Sequence, residues 1–228
     1  MDIINACKNE NEKEVKKLIN NGSDVNMKNE IGDTPLIISC EKGNINIIKY
    51  LIENGAKTDV NNSNGSSLLN IICRVESEKS LEIINYLVEK AKIDINFKDK
   101  NGNSPLLIAC YFGNINIIEK LIESGANINI QNNYGDSPLL VSCYFKDKKA
   151  IKKLIAKGAN KNIKNDYEDS PLLISKYLKN KKIQELMEKE EKNINNENEN
   201  EKINSEYKTL LMETFPNNYI NINDIYGI

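Results

Sequence analysis

Short apolar runs alternate along this chain with stretches of Asn, Lys and Glu, and the apolar runs are of two kinds. In one kind, Ile47-Ile48-Lys49-Tyr50-Leu51-Ile52 and Ile117-Ile118-Glu119-Lys120-Leu121-Ile122, large apolar residues recur at i, i+3 and i+4. That spacing gathers them on one buried face of a helix. The other kind is a shorter segment ending in Cys, as in Pro105–Cys110 and Pro138–Cys143. A turn separates the two, so each pair predicts two antiparallel helices.

The pairs are periodic. Gly32-Asp33-Thr34-Pro35-Leu36 returns as Gly65-Ser66-Ser67-Leu68-Leu69, Gly102-Asn103-Ser104-Pro105-Leu106, Gly135-Asp136-Ser137-Pro138-Leu139 and Glu168-Asp169-Ser170-Pro171-Leu172, in steps of 33, 37, 33 and 33 residues. A fixed period of this size is the signature of a repeat architecture. Thr34, Ser104, Ser137 and Ser170 stand directly before Pro. That is an N-cap followed by the first helical position, where a missing N–H costs nothing. Gly22, Gly55, Gly125 and Gly158 follow the second helix, where a left-handed residue closes the last turn. The remaining glycines fall in the turns between pairs or, as Gly43 and Gly113, between the helices of a pair, and none is left for a phosphate-binding loop.

These motifs resemble the ankyrin repeat, through the period, the Gly-x-Thr-Pro-Leu entry to helix one and endings such as Gly125-Ala126-Asn127-Ile128-Asn129. The likeness covers Met1 to about Lys189. It implies an all-α fold, a solenoid of antiparallel helix pairs joined by β-turn or hairpin-like loops. One departure is systematic. The family places His after Thr-Pro-Leu and after the interhelical Gly, whereas this chain has Ile37, Leu107, Leu140 and Leu173 at the first position and Asn44 and Asn114 at the second. Its turns are therefore expected to lack the family's His-mediated hydrogen bonds.

The register divides the chain into an N-terminal capping half-repeat at 1–31 and full units at 32–64, 65–101, 102–134 and 135–167. A degenerate C-terminal repeat at 168–189 follows, with Lys176 at the place of the cysteines. The unit at 65–101 is longer, because Glu76 to Ser80 extends its interhelical loop and Ala91-Lys92-Ile93 replaces Gly-Ala. The Asn/Glu/Lys-rich stretch at 190–206 has too little apolar content to offset ordering entropy and is expected to be disordered. Residues 207–228 read as a partial or decayed repeat, with a helix over Tyr207–Phe215. They end on Ile220-Asn221-Ile222-Asn223-Asp224-Ile225-Tyr226-Gly227, which copies the spacing of Ile128–Gly135. Both a truncated array and a decayed end fit that ending.

Composition removes several function classes. Lys and Arg total 31 against 33 Asp and Glu, for a formal charge of −2, which favours neither nucleic acid nor an anionic membrane as partner. No apolar run early in the chain is long enough for a signal peptide, and none later for a membrane span. The expectation is an intracellular protein, cytoplasmic or nuclear, with reduced thiols. His is absent, which removes the commonest general base and a common zinc ligand. Cys7, Cys40, Cys73, Cys110 and Cys143 share one helix-one position. Stacked helices lie about 8–10 Å apart, and a disulfide needs Cα atoms within roughly 7 Å, so the cysteines read as small buried hydrophobes. Glu53, Glu89, Glu119 and Glu123 lie among lysines on second helices and read as a solvated face. No nucleophile stands beside a base. The chain is expected to be non-catalytic, with no cofactor and no metal.

Aromatic residues mark the candidate site. Tyr111-Phe112 and Tyr144-Phe145 close helix one in consecutive units, while Tyr134 and Tyr167 sit near consecutive turn tips. The ankyrin resemblance implies that such positions line a concave groove and its finger tips. Asn101, Asn103 and Asp136 join them as candidate partner-binding residues. The competing reading is that the rings pack across repeat boundaries as framework. The function expected is an adaptor or scaffold that binds another protein as a monomer; the alternative is a recognition or inhibitory fragment of a larger signalling protein or enzyme.

Overall fold

The first segment of every pair carries apolar residues on all sides, and the second on one side only. A computed structural model, which describes residues 2–75, 79–178 and 181–188, shows why. Six first helices, α1 (Ile3–Lys8), α3 (Pro35–Lys42), α5 (Leu68–Arg74), α7 (Pro105–Tyr111), α9 (Pro138–Tyr144) and α11 (Pro171–Tyr177), stack in one row. Second helices α2 (Glu12–Asn20), α4 (Ile45–Glu53), α6 (Ser80–Glu89), α8 (Ile115–Glu123) and α10 (Lys148–Ala156) form a parallel row, each packed on its own first helix. The last described helix is α12 (Lys181–Glu188). An inner first helix thus meets a neighbour before it, one behind it and its own partner. Pro105–Cys110 and Pro138–Cys143 are accordingly buried at every position, as expected for a helix that is apolar all round. The second helix α8 buries only Ile117, Ile118 and Leu121. Each large aliphatic side chain buried contributes roughly 1.5–3 kcal/mol, and most of that burial exists only because an adjacent pair supplies the cover. At the end of the row, Leu172 and Leu173 of α11 are half-buried, while their counterparts Leu106, Leu107, Leu139 and Leu140 are fully buried.

The caps are those the sequence announces. Thr34, Ser104, Ser137 and Ser170 side chains accept from the backbone N–H of Ile37, Leu107, Leu140 and Leu173, each with Pro at the start of the helix. Asn44 and Asn114, the residues standing at the second His position, cap α4 and α8 by accepting from the N–H of Ile47 and Ile117. Asp147 does the same for α10.

Four non-glycine residues have positive φ: Glu10, Lys92, Lys146 and Glu168. Each occupies a glycine position of the other units. Glu10 and Lys146 lie three residues after their cysteine, like Gly43 and Gly113; Glu168 is the counterpart of Gly135, and Lys92 of Gly55 and Gly125. At Gly135 a second constraint applies, because an added Cβ would lie 2.8 Å from the Cα of Asn165 in the next turn.

The step of 37 residues resolves into two insertions. Cys40 to Ile47 spans seven residues and Cys73 to Ile83 spans ten, which puts three extra residues in the interhelical loop, where Glu76–Glu78 lie outside the described residues. The fourth is at the end of α6. The N–H of Ala56 bonds to the carbonyl of Leu51 five residues back, whereas the N–H of Ile93 bonds to that of Leu87 six residues back. The stretches expected at 190–206 and 207–228 lie outside the described residues.

Candidate functional site

The turns between pairs are built by one side chain. Three residues before each turn glycine, or Glu168, stands Asn29, Asn62, Asp99, Asn132 or Asn165. Its Oδ1 accepts from two N–H groups in the same turn: from Ile31 and Asp33, Asn64 and Ser66, Asn101 and Asn103, Tyr134 and Asp136, or Tyr167 and Asp169, at 2.8–3.1 Å. Asx side chains hold turns in this way because their reach matches that of a backbone carbonyl. The turns are closed in this way in a chain that has no His.

The other end of the same side chain couples neighbouring units. Nδ2 of Asn132 donates to Oδ1 of Asn103 at 3.2 Å and to the hydroxyl of Tyr111 at 3.3 Å. Nδ2 of Asn165 donates to Oδ1 of Asp136 at 2.8 Å and to the hydroxyl of Tyr144 at 3.1 Å, and that hydroxyl donates to Asp169 at 2.9 Å. One unit earlier, Arg74 holds the place of Tyr111 and Asp99 that of Asn132, and the two form an ion pair at 3.4 Å. From Cys73 onward, the residue after the cysteine and the residue three before the next turn glycine, or Glu168, are therefore matched, Arg with Asp and Tyr with Asn, whereas Lys8 and Glu41 hold that place in the first two units. The sequence carries this signal as a 25-residue spacing from Arg74 to Asp99 and a 21-residue spacing from Tyr111 to Asn132 and from Tyr144 to Asn165, which differ by the four inserted residues.

This ladder sorts the candidate binding residues. Asn103 is 1% exposed and Asp136 9%; both side chains are engaged beneath the turns. The Asn103 carboxamide and the Asp136 carboxylate join neighbouring turns. Tyr111, Tyr144 and Phe145 are half-buried, and Tyr111 meets Phe145 edge to face with centroids 5.8 Å apart. That contact crosses the boundary between two units, and all three rings are partly buried against the core. Asn101 is also half-buried; its N–H donates to Asp99 and its carbonyl accepts from the N–H of Asn133.

What the ladder leaves outward is a short set. Among the described residues the exposed large apolar side chains are Ile31 (64%), Phe112 (43%), Tyr134 (47%) and Tyr167 (62%). Ile31, Tyr134 and Tyr167 occupy one position of the repeat, directly before the turn glycine or Glu168. The Tyr134 carbonyl accepts from the N–H of Asp166 at 3.0 Å, which ties consecutive tips together. The sequence placed Tyr134 and Tyr167 at this edge and missed Ile31, whose position in the register was the available signal.

A family model for ankyrin repeats (three copies) matches residues 3–99 and 72–165. The chain belongs to the ankyrin repeat family. A crystal structure of an ankyrin repeat domain from Acinetobacter baumannii AYE superposes with a TM-score of 0.73 at 22% identity, covering 81% of this chain and 95% of that one. Comparison with curated proteins finds no match. Ankyrin repeats are in general protein–protein interaction modules and are typically non-catalytic.

The remaining chemistry of this ankyrin stack fits that frame. The five cysteines are free and buried. Burial raises the thiol pKa of each, that of Cys110 to about 12 despite a side-chain interaction with Ser142 that lowers it. Burial thus disfavours the thiolate at all five positions. No group of three or more Cys, Asp or Glu among the described residues could hold a metal ion. A cleft of about 210 Å³ lined by Val60, Lys92, Ile93 and Phe97 is smaller than the roughly 300–1,000 Å³ typical of small-molecule sites. No described helix is long and apolar enough to cross a membrane.

Burial also raises the carboxyl pKa of Asp136, reinforced by the charges of Asp169 and Asp166 and opposed by hydrogen bonds from Asn165 and Asn132. Asp33 and Asp169 are raised by burial as well.

Proposed function

We propose that this protein is a non-catalytic adaptor that binds a partner protein along the edge formed by the turn tips and the adjoining ends of the first helices. The contact is centred on the units at 102–134 and 135–167. Tyr134 and Tyr167 supply the anchors, with Phe112 and the open flanks of Tyr111, Tyr144 and Phe145 beside them and Asn101 at the margin. The observation that carries this reading is the recurrence of exposed large apolar residues at a single repeat position. Aromatic side chains bury much area for little rotamer entropy, which is why they dominate the centres of interfaces. The turns that present them are held by the Asx bonds and by bonds between successive tips. Little ordering is then left to be done on binding, so less of the gross interaction energy is lost.

A photo-reactive phenylalanine analogue placed at position 134 or 167 in cells tests the site. Adducts to one discrete partner from both positions, and not from the exposed Lys13 of α2, are the expected result. Equal labelling from position 13, or unrelated adducts from 134 and 167, would show that the tips are not the contact. Alanine at both tips should weaken binding of the captured partner by more than about 2 kcal/mol.

A further inference from the structure

The outward face of α10 differs in charge from every other second helix. α2, α4, α8 and α12 each carry both lysine and glutamate and α6 carries glutamates, whereas α10 holds Lys148, Lys149, Lys152 and Lys153 and no acid. Between Lys146 and Asn165 there are eight lysines and one carboxylate, Asp147, in a chain whose formal charge is −2. Asp147 is occupied in capping α10.

The core needs only Ala150, Ile151, Leu154 and Ile155 from this helix. Lys146, Lys148, Lys149, Lys152 and Lys157 are exposed. Lys153 reaches across to an ion pair with Glu119 of α8, which shows that this face can seat a carboxylate.

Local preference opposes the arrangement. Lys148 and Lys152, Lys149 and Lys153, and Lys153 and Lys157 are like charges four residues apart, which repel on a helix surface. Lys148 and Lys149 also sit in the first turn, at the positive end of the helix dipole. A face that gathers like charge against local preference is where a functional demand is expected.

We propose that the outer face of α10 docks an acidic peptide segment of a partner protein, whose carboxylates pair with Lys148, Lys149, Lys152 and Lys157. The nine residues of α10 extend about 13 Å at 1.5 Å per residue, the length of about four residues of extended peptide. A nucleic acid suits the face less well. It has no arginine for bidentate phosphate contacts and no exposed aromatic residue for stacking. Glu119 and Glu123 on the adjoining α8 would repel a longer polyanion. An anionic bilayer also fits poorly, since only Ala156 offers apolar surface among these lysines and interfacial helices insert large apolar residues. This face belongs to the row of second helices and is independent of the turn-tip edge.

The test is fluorescence anisotropy of a labelled peptide with four consecutive Glu/Asp residues flanked by Gly and Ser, against the full chain at low salt. The triple change Lys148→Glu, Lys149→Glu, Lys152→Glu should raise Kd by about tenfold or more, the size expected when close charge pairs are reversed. The same change in net charge made at Lys13, Lys16 and Lys17 of α2 should leave Kd within about threefold. Glutamine at the three α10 positions gives a milder variant, and circular dichroism establishes that each is folded. No binding by the unmodified chain, equal weakening by the α2 and α10 variants, or tighter binding of an oligothymidylate or of phosphatidylserine vesicles at matched charge would each overturn the proposal.

Discussion

At the scale of single residues, this chain departs from its own repeat in ways that make testable strain. Lys146 has φ 55° at a position where Gly113 has φ 65°. A side chain in the left-handed region costs roughly 1–2 kcal/mol, partly offset because glycine gains more entropy in the unfolded chain. Lys146→Gly should therefore stabilise the protein by about 0.5–1 kcal/mol, read as a shift in the urea midpoint; unchanged or lower stability would show that Lys146 is unstrained. Asp136 gives the second case. Its folded pKa is raised, chiefly by burial and then by Asp169 and Asp166 against the hydrogen bonds from Asn165 and Asn132, so the folded state holds its proton more tightly than the unfolded state. The stability this supplies is fully present below the ordinary carboxylate pKa of about 3.9 and is lost as pH rises through the folded pKa. Asp136→Asn, which reproduces the residue found at the same position in Asn103, should flatten the fall in stability above about pH 4, checked by urea unfolding across that range. A slope equal to that of the unmodified protein would contradict the assignment. The Ser-Pro caps were legible in the sequence because their hydrogen bonds close within three residues, from Ser104 to Leu107 for example. The burial of Asn103 and Asp136 was not, because the groups that bury them belong to the next turn, 29 residues away.

At the scale of elements, the pairing of helices was readable wherever apolar spacing alone decides it, as in α4 and α8. The extra residues of the unit at 65–101 were legible in place as well as in number, in the interhelical loop and at Ala91-Lys92-Ile93. Which carbonyl Ile93 reaches at the end of α6 was not, because that choice is made by packing. The links between elements were the least visible. Asn26, Asn96 and Asn129, which close the second-helix motif, accept at Oδ1 from the N–H of Lys57, Asn127 and Asn160 at 2.8 Å each, all 31 residues further on. Lys49–Glu82, Lys120–Glu89 and Lys153–Glu119 add ion pairs between successive second helices, although exposed pairs of this kind contribute little, about 0–1 kcal/mol. The Asn bond is neutral and short, and its loss leaves a backbone donor to find water. Asn129→Ala should cost about 1 kcal/mol and concentrate that loss at the junction of the units at 102–134 and 135–167. Hydrogen exchange would show it as faster exchange in α9 and α10 with little change in α3 and α4; uniform acceleration along the chain would mean that the bond does not couple neighbours.

For the whole stack of described pairs, stability is a sum over units and the boundaries between them, so the interior should open last. The cysteines report on this directly, because each unit from the first to the fifth carries one, at the same position on its first helix. All five are buried and their thiols are raised in pKa by that burial, so a maleimide should label none of them while the stack is closed. Labelling then measures opening. α1 has a first-helix neighbour on one side only, in α3, whereas α5 and α7 are flanked on both sides. Cys7 should consequently react at urea concentrations that still protect Cys73 and Cys110. Cys143 is covered by α11, whose Leu172 and Leu173 are only half-buried, and it should fall between those limits. Mass spectrometry of peptides after a timed pulse of maleimide gives the order. If all five thiols become reactive at one rate and one midpoint, the units are locked into a single cooperative block and nearest-neighbour additivity does not describe this protein. A graded order from Cys7 inward, with Cys143 intermediate, would show instead that the unit at 102–134, which carries Tyr134, belongs to the part of the stack that stays closed longest, which is the rigidity a preformed binding surface requires.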